Sequence, residues 1–357
     1  MAQKDLFPFP AFEKITTRQG LSGNTVHRIL QDRQGFLWFI TGSGLNRFDG
    51  YDFKAYGYDP SDSNSITLGL FYSLVQDKNG VLWMNSENDG IYSFDPQKEK
   101  YVSYRNNLRN ANSLADDLTQ GLVADKNGNV WIATHNGLDK FEPSTNHFTH
   151  YTHQDNDSSS ISDNKIFGIC ADEEDNLWLV TGEPGIDYFN SHTGKLIRHF
   201  SFGSSPTPVE DWSSTHPYGA FKGKNGNVWI GSRQHGLYGF NIYTKKITHL
   251  YHEENNTNSI SHNGVYNVCE DHNSNLWIAT DAGMLDYYEK VTGKFYHYPL
   301  ADILDIREDN SHKIWIAAEN GILSFNTRFK KINSWQRHPG RSAIPGNSVW
   351  YMFRSKE

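Results

Sequence analysis

The sequence predicts an all-β fold, a seven-bladed β-propeller of four-stranded antiparallel blades, and three observations carry that expectation. A Trp returns as Trp38, Trp83, Trp131, Trp178, Trp229, Trp277 and Trp315, in steps of 45, 48, 47, 51, 48 and 38 residues. An approximate repeat of that length marks a solenoid, an array or a propeller. Each repeat divides into four short apolar or amphipathic runs separated by turn residues, the pattern of consecutive hairpins. Composition agrees: 37% hydrophobic, 14% aromatic and 30 Gly suit turn-rich strands around a few large rings, not a helical bundle. Four-stranded units arranged radially make a propeller.

Within a repeat, the inner strand comes first, as in Thr25-Val26-His27-Arg28-Ile29-Leu30. Six residues before the Trp stands Asp32, Asp77, Asp125, Asp172, Asp271 or Asp309, with Gly223 in the fifth repeat. Between that position and the Trp lie turn dipeptides such as Asn79-Gly80, Asn127-Gly128 and Asn225-Gly226. Asn-Gly tolerates the positive φ of a tight hairpin, and an Asp there can bind the amides of its own turn. Six equivalent acids are therefore structural, since a ring of identical catalytic acids would have no chemical purpose. After the Trp-bearing strand comes a Gly (Gly44, Gly90, Gly137, Gly185, Gly236, Gly283, Gly321). Four residues later there is a ring: Phe48, Phe94, Phe141, Phe189, Phe240, Tyr287 or Phe325. Trp and ring columns are expected to fill the space between blades. A more polar outer strand ends the unit, as in Lys245-Lys246-Ile247-Thr248-His249-Leu250, and Asn/Asp/Ser-rich loops join the units.

These columns divide the chain into an N-terminal segment at 1–20, the propeller at 21–333 and the start of an eighth repeat at 334–357. Phe12-Glu13-Lys14-Ile15 is a candidate ring-closing strand, and Phe329-Lys330-Lys331-Ile332-Asn333 competes as the seventh blade's own outer strand. Gly346-Asn347-Ser348-Val349 repeats Gly23-Asn24-Thr25-Val26 and stops short of its Trp, so the chain reads as cut from something longer.

The phrases Gly20-Leu21-Ser22-Gly23-Asn24-Thr25-Val26, Asp32-Arg33-Gln34-Gly35-Phe36-Leu37-Trp38 and Gly44-Leu45-Asn46-Arg47-Phe48-Asp49-Gly50 resemble the two-component-regulator propeller repeats found in sensor regions of Bacteroidetes hybrid two-component systems. The resemblance implies the first propeller of a periplasmic region that also holds a second propeller and an immunoglobulin-like domain. A membrane helix, histidine kinase, receiver and DNA-binding output would follow in the same chain. It implies an oligosaccharide ligand, a dimeric sensor, a phosphorelay controlling polysaccharide-utilisation genes and a periplasmic location. No cofactor is expected.

Charge and motifs narrow the rest. A net charge of −8 with interspersed signs makes nucleic acid a poor partner. No apolar run reaches the ~20 residues of a membrane span, so no membrane contact is expected of this part. Cys170 and Cys269 lie in non-adjacent repeats and read as small hydrophobes. Among 16 His, the group His147, His150 and His153 cannot converge, because a spacing of three puts strand residues on opposite faces. HExxH, CxxC and GxSxG are absent, so neither a catalytic nor a metal site is expected.

Propeller ligands usually sit near the axis, where inter-blade loops and second-to-third-strand turns converge. There the fourth to sixth repeats depart most from the average: the fifth has Gly223, a long lead-in from Ser204 to Tyr218, and the turn Ser232-Arg233-Gln234-His235-Gly236. Trp212, His216, Tyr218, Arg233 and His235 would offer a sugar an aromatic platform and planar hydrogen-bonding groups. Eleven residues before each Trp stand His27, Tyr72, Gln120, Phe167, Tyr218, Tyr266 and Leu304. That ring makes His27, Tyr72 and Tyr266 further ligand candidates, although packing between blades is the plainer account of it. Two other classes stay open: a propeller lyase or glycan hydrolase, and a scaffold used only for dimerisation.

Overall fold

The computed structural model describes residues 13–62, 65–86, 88–202, 217–300 and 302–326. They form seven four-stranded antiparallel sheets, and the one helical element among them is a 3-10 turn at Thr17–Gln19. The first blade shows the plan: Val26–Gln31 is innermost, followed outward by Leu37–Thr41, Gly44–Phe48 and Phe53–Gly57. The seventh takes its three inner strands from Ile303–Glu308, Lys313–Ala318 and Gly321–Asn326, and its outer strand from Glu13–Ile15. Lys14 pairs antiparallel with Leu323, so the two ends of the described chain meet in one sheet and close the ring without a covalent bond. The competing strand at 329–333 and the repeat beginning at 346 lie outside the described residues.

The core sits between blades. Six of the seven indoles meet the ring column of the next blade edge-on or tilted: Trp38 with Phe94, Trp83 with Phe141, Trp131 with Phe189, Trp178 with Phe240, Trp277 with Phe325, and Trp315 with Phe48 around the closure. In the sixth blade the column is corrected by one residue. Tyr288, not Tyr287, pairs with Leu276 as Phe48 does with Leu37, and Tyr287 instead packs on its own blade's Trp277 at 4.4 Å. The cause is the place of the glycine: Met284 takes the position opposite Thr280 that Gly44 takes opposite Thr41, and Gly283 stands one residue earlier, in the turn.

The Asp column does two jobs. In the first blade, Asp32 Oδ1 accepts from the amides of Gln34 (3.0 Å) and Phe36 (2.9 Å), fixing the turn. Its Oδ2 accepts from Trp38 Nε1 at 2.7 Å, which satisfies the one polar atom of a buried indole. Trp83, Trp131, Trp277 and Trp315 donate in the same way to Asp77, Asp125, Asp271 and Asp309. Turn geometry is simpler than the Asn-Gly dipeptides suggest. Gly80 and Gly128 have positive φ by themselves, and only Asn225 (φ 53°) with Gly226 (φ 73°) makes a consecutive pair.

Two blades break the rule. In the fourth, Tyr188 Oη donates to Asp172 Oδ2 at 3.1 Å, and Trp178 Nε1 has no partner among the described residues. In the fifth, Glu270 reaches across from the sixth blade to Trp229 Nε1 at 3.0 Å and so replaces the missing Asp. The fourth blade supplies a control for the energetics. Trp38→Phe leaves a buried carboxylate oxygen without its donor, whereas Trp178→Phe breaks no hydrogen bond, so Trp38→Phe is expected to cost more by about 1–2 kcal/mol. Urea denaturation of the two variants checks this, and equal losses would remove the indole bond from the account.

Candidate functional site

One end of the axial channel is shaped by seven β-bulges in register. In every inner strand the pairing with the second strand slips by one residue at His27, Tyr72, Gln120, Phe167, Tyr218, Tyr266 and Leu304. A bulge re-aims its extra side chain. The ring read eleven residues before each Trp is therefore a set of bulge residues at the channel mouth, and the members differ in fate. His27 is buried, lies 6.2 Å from Phe71 and has its pKa pushed down to about 4 by burial and then by Arg28, so it is neutral at physiological pH. Phe167 is also buried, 6.0 Å from the His135 ring, and Gln120 Nε2 lies 3.1 Å from His135 Nε2. Tyr72, Tyr218 and Tyr266 are half-buried.

Blades five and six bring aromatic, acidic and basic side chains together at this mouth. The Tyr218 and Tyr266 rings stand 4.5 Å apart at 49°. Tyr266 Oη donates to Asp281 Oδ1 at 2.6 Å. Burial, then the bonds to Asp281 and Tyr218, raise the Tyr266 pKa, so the phenol stays a proton donor. Arg233 is exposed on the neighbouring turn, and its backbone adjoins Gly264, whose carbonyl receives the Asp281 amide at 2.8 Å. His235 is fixed through its amide to Ser232 Oγ (2.8 Å), while its carbonyl accepts from His249 Nε2 (2.6 Å). Two π-faces, a carboxylate and an exposed guanidinium can together receive a hydroxyl-rich ring or a planar anionic group. Trp212 and His216 lie outside the described residues.

Several channel residues lie outside the repeat columns. Arg28 Nε donates to Tyr72 O (2.6 Å), and its Nη1 donates to His27 O (2.6 Å) and Leu304 O (3.0 Å), spanning three blades. Asp305, fully buried, accepts from Ile29 N and Asn267 Nδ2 at 2.9 Å each and lies 3.4 Å from Arg307 Nε. Their signal was available: charged residues inside apolar inner strands, as in Ile303-Leu304-Asp305-Ile306-Arg307.

The opposite face, where the Asp turns lie, carries a cleft of about 550 Å³ between blades four and five. Trp178, Lys222, Gly223, Lys224, Asn227 and Tyr243 are among its walls. His272, Glu308 and His312, also on this face, bring candidate metal-ligand atoms within 4.8 Å of one another. No motif spacing reveals that group, because its members come from two neighbouring blades. Burial pushes both cysteine thiols up to about 12, so Cys170 and Cys269 are not nucleophiles at neutral pH.

The two component regulator propeller family matches residues 20–43 and 259–282. Over 66 residues, 18% of this chain, the sequence is 47% identical to histidine kinase P4 of Formosa agariphila, of which that stretch is 5%. Among solved structures, an extracellular domain assigned to a hybrid two component system of B. thetaiotaomicron aligns over 88% of this chain with TM-score 0.68 and 23% identity. A second such domain from the same organism aligns over 89% with TM-score 0.68 and 21% identity. This chain spans only 42% and 40% of those two chains. Virginiamycin B lyase of Staphylococcus aureus aligns over 88% of this chain and 98% of its own, with TM-score 0.64 and 16% identity. At these identities the structural likenesses establish a shared fold. Among the described residues, no helix is long and apolar enough to cross a membrane.

Proposed function

We propose that this chain, which carries two component regulator propeller repeats, is the ligand-recognising propeller of a periplasmic sensor region in a hybrid two-component system. Its ligand is a glycan-derived oligosaccharide, and it has no catalytic activity of its own. The observation that carries this reading is the mouth at blades five and six: Tyr218 and Tyr266 tilted against each other, Asp281 bonded to Tyr266, and Arg233 exposed beside them. A sugar ring would lie against the aromatic faces, with its hydroxyls on Asp281 and Arg233. Binding would bias the arrangement of a dimeric sensor that includes a second propeller and an immunoglobulin-like domain. Kinase activity, and through the phosphorelay the transcription of polysaccharide-utilisation genes, would follow that bias.

A calorimetric screen of oligosaccharides of differing charge identifies the ligand, and Tyr266→Ala then tests the site. Affinity is expected to fall by about tenfold or more, corresponding to ~1.4 kcal/mol. Arg233→Ala should weaken anionic ligands more than neutral ones. Unchanged affinity in Tyr266→Ala, combined with loss in Tyr243→Ala, would move the site to the cleft on the other face. Product formation during incubation would replace the sensor reading with the lyase or hydrolase one.

A further inference from the structure

We propose that His272, Glu308 and His312 form a divalent transition-metal site, of the zinc class, that clips blade six to blade seven. His272 lies in the Asp turn of the sixth blade. Glu308 ends the inner strand Ile303–Glu308 of the seventh, and His312 follows in that blade's own turn at φ 66°, as Ser274 does at φ 63° in the sixth. The two imidazoles stack with centroids 4.0 Å apart and planes 28° apart. Both present Nδ1 to the same oxygen, Glu308 Oε1: His272 as a short hydrogen bond, His312 at 3.4 Å. Two protonated imidazoles in that contact would repel, whereas one bound cation satisfies all three groups.

The distances suit a small ion. Ligand atoms around tetrahedral zinc stand about 3.3 Å apart for bonds near 2.0–2.1 Å. His312 Nδ1 to Glu308 Oε1 already matches that edge, and a modest ring rotation opens His272 to it. Glu308 is 9% exposed while His272 and His312 are 27% and 38% exposed, which gives a buried anion with a solvent path to it. Lys224 occupies the other carboxylate oxygen, Oε2, at 3.2 Å and leaves Oε1 to the ion. Outer-shell support is also in place. Asn273 Nδ2 lies 2.9 Å from His272 Nε2, and turning that amide over presents its oxygen to an Nε2–H, freeing Nδ1 of its proton for the metal. Two imidazoles and one carboxylate favour zinc, cobalt, nickel or copper over calcium or magnesium. Water would supply the fourth ligand. The clip sits beside the blade whose outer strand is only the three residues Glu13–Ile15, where an extra tie between neighbours matters most.

Chelator-treated protein is titrated with Co²⁺ and its visible absorption followed, and Zn²⁺ is added during thermal unfolding. One equivalent of Co²⁺ should give tetrahedral d–d bands, and Zn²⁺ should raise Tm. His312→Ala and His272→Ala should each lose affinity by about 100-fold or more, and Asn273→Ala by a smaller factor. His147→Ala, a surface control, should change nothing. His312→Gln, with its Tm measured in chelator, separates loss of metal from loss of folding. Absence of a Co²⁺ spectrum, or metal binding undiminished in both His variants, would overturn the proposal and leave a hydrogen-bonded His–Glu–His cluster.

Discussion

Gly223→Asp, which restores the residue found in six of the seven repeats, is expected to destabilise the protein by about 3–5 kcal/mol. A Cβ at Gly223 would stand 2.5 Å from Glu270 Oε2 and 2.7 Å from Trp229 Nε1, so even the first carbon of the side chain has no room. The rest would bring a second carboxylate against one that is itself buried and already used three times. Glu270 Oε2 accepts from Trp229 Nε1 (3.0 Å), from the amide of Lys224 (3.0 Å) and from Asn227 Nδ2 (3.3 Å). Gly223 and Glu270 are thus two halves of one substitution, in which the acid has moved from the indole's own turn to the next blade. The decisive measurement is a double-mutant cycle by urea denaturation. Glu270→Ala alone should cost about 1–3 kcal/mol, because it strands the indole and amide donors. In the Gly223→Asp background the same change should recover stability, since the introduced carboxylate can then take the indole as Asp32 does. Additivity within about 0.5 kcal/mol would show that the two positions do not exchange roles.

The same pair shows what the sequence made legible. Gly223 stood out as the gap in the Asp column, and read alone it pointed to function. The acid that fills the gap comes from another repeat, 41 residues after Trp229, and no within-repeat register could match them. The column contents were legible because each repeat states them again: the Asp turn, the Trp strand, the ring. Tyr287 falls off the ring column because Gly283 stands one residue before Met284, the partner of Thr280, and a fixed count from the glycine then lands on the wrong face. The channel-mouth ring was visible as a column, but its cause was not, because a bulge is a relation between two strands. His272 and Glu308 lie 36 residues apart in different blades, and only the ring brings them together.

Asp286→Ala is expected to cost about 3–5 kcal/mol through a contact set that the sequence did not reveal. Asp286 is fully buried; Oδ2 accepts the Ser261 amide at 2.6 Å, and Oδ1 lies 2.6 Å from His297 Nδ1. His297 Nε2 in turn reaches Thr257 O at 3.1 Å. One acid thereby joins the third strand, the outer strand and the lead-in loop. Asp139 with His150 and Ala115, and Asp187 with His199 and Ser162, repeat the unit in blades three and four. Hydrogen bonding to Asp139 and Asp286 raises the pKa of His150 and His297 above the ordinary value. A raised folded pKa contributes stability that is fully present below about pH 6.5 and is lost as pH rises through the folded pKa. The stability gap between the protein and a His150→Ala/His297→Ala variant should therefore be widest near pH 6 and shrink towards pH 9. Denaturation across that range tests it, and a pH-independent gap would mean the histidines stay neutral. Blade one supplies the internal comparison. There Asn46 pairs with Ala55 in place of Asp with His, and its Oδ1 still accepts the Ser22 amide at 2.8 Å. Asp286→Asn combined with His297→Ala copies that arrangement into blade six. It keeps the loop contact, buries no unpaired charge, and should cost less than Asp286→Ala alone despite changing two residues.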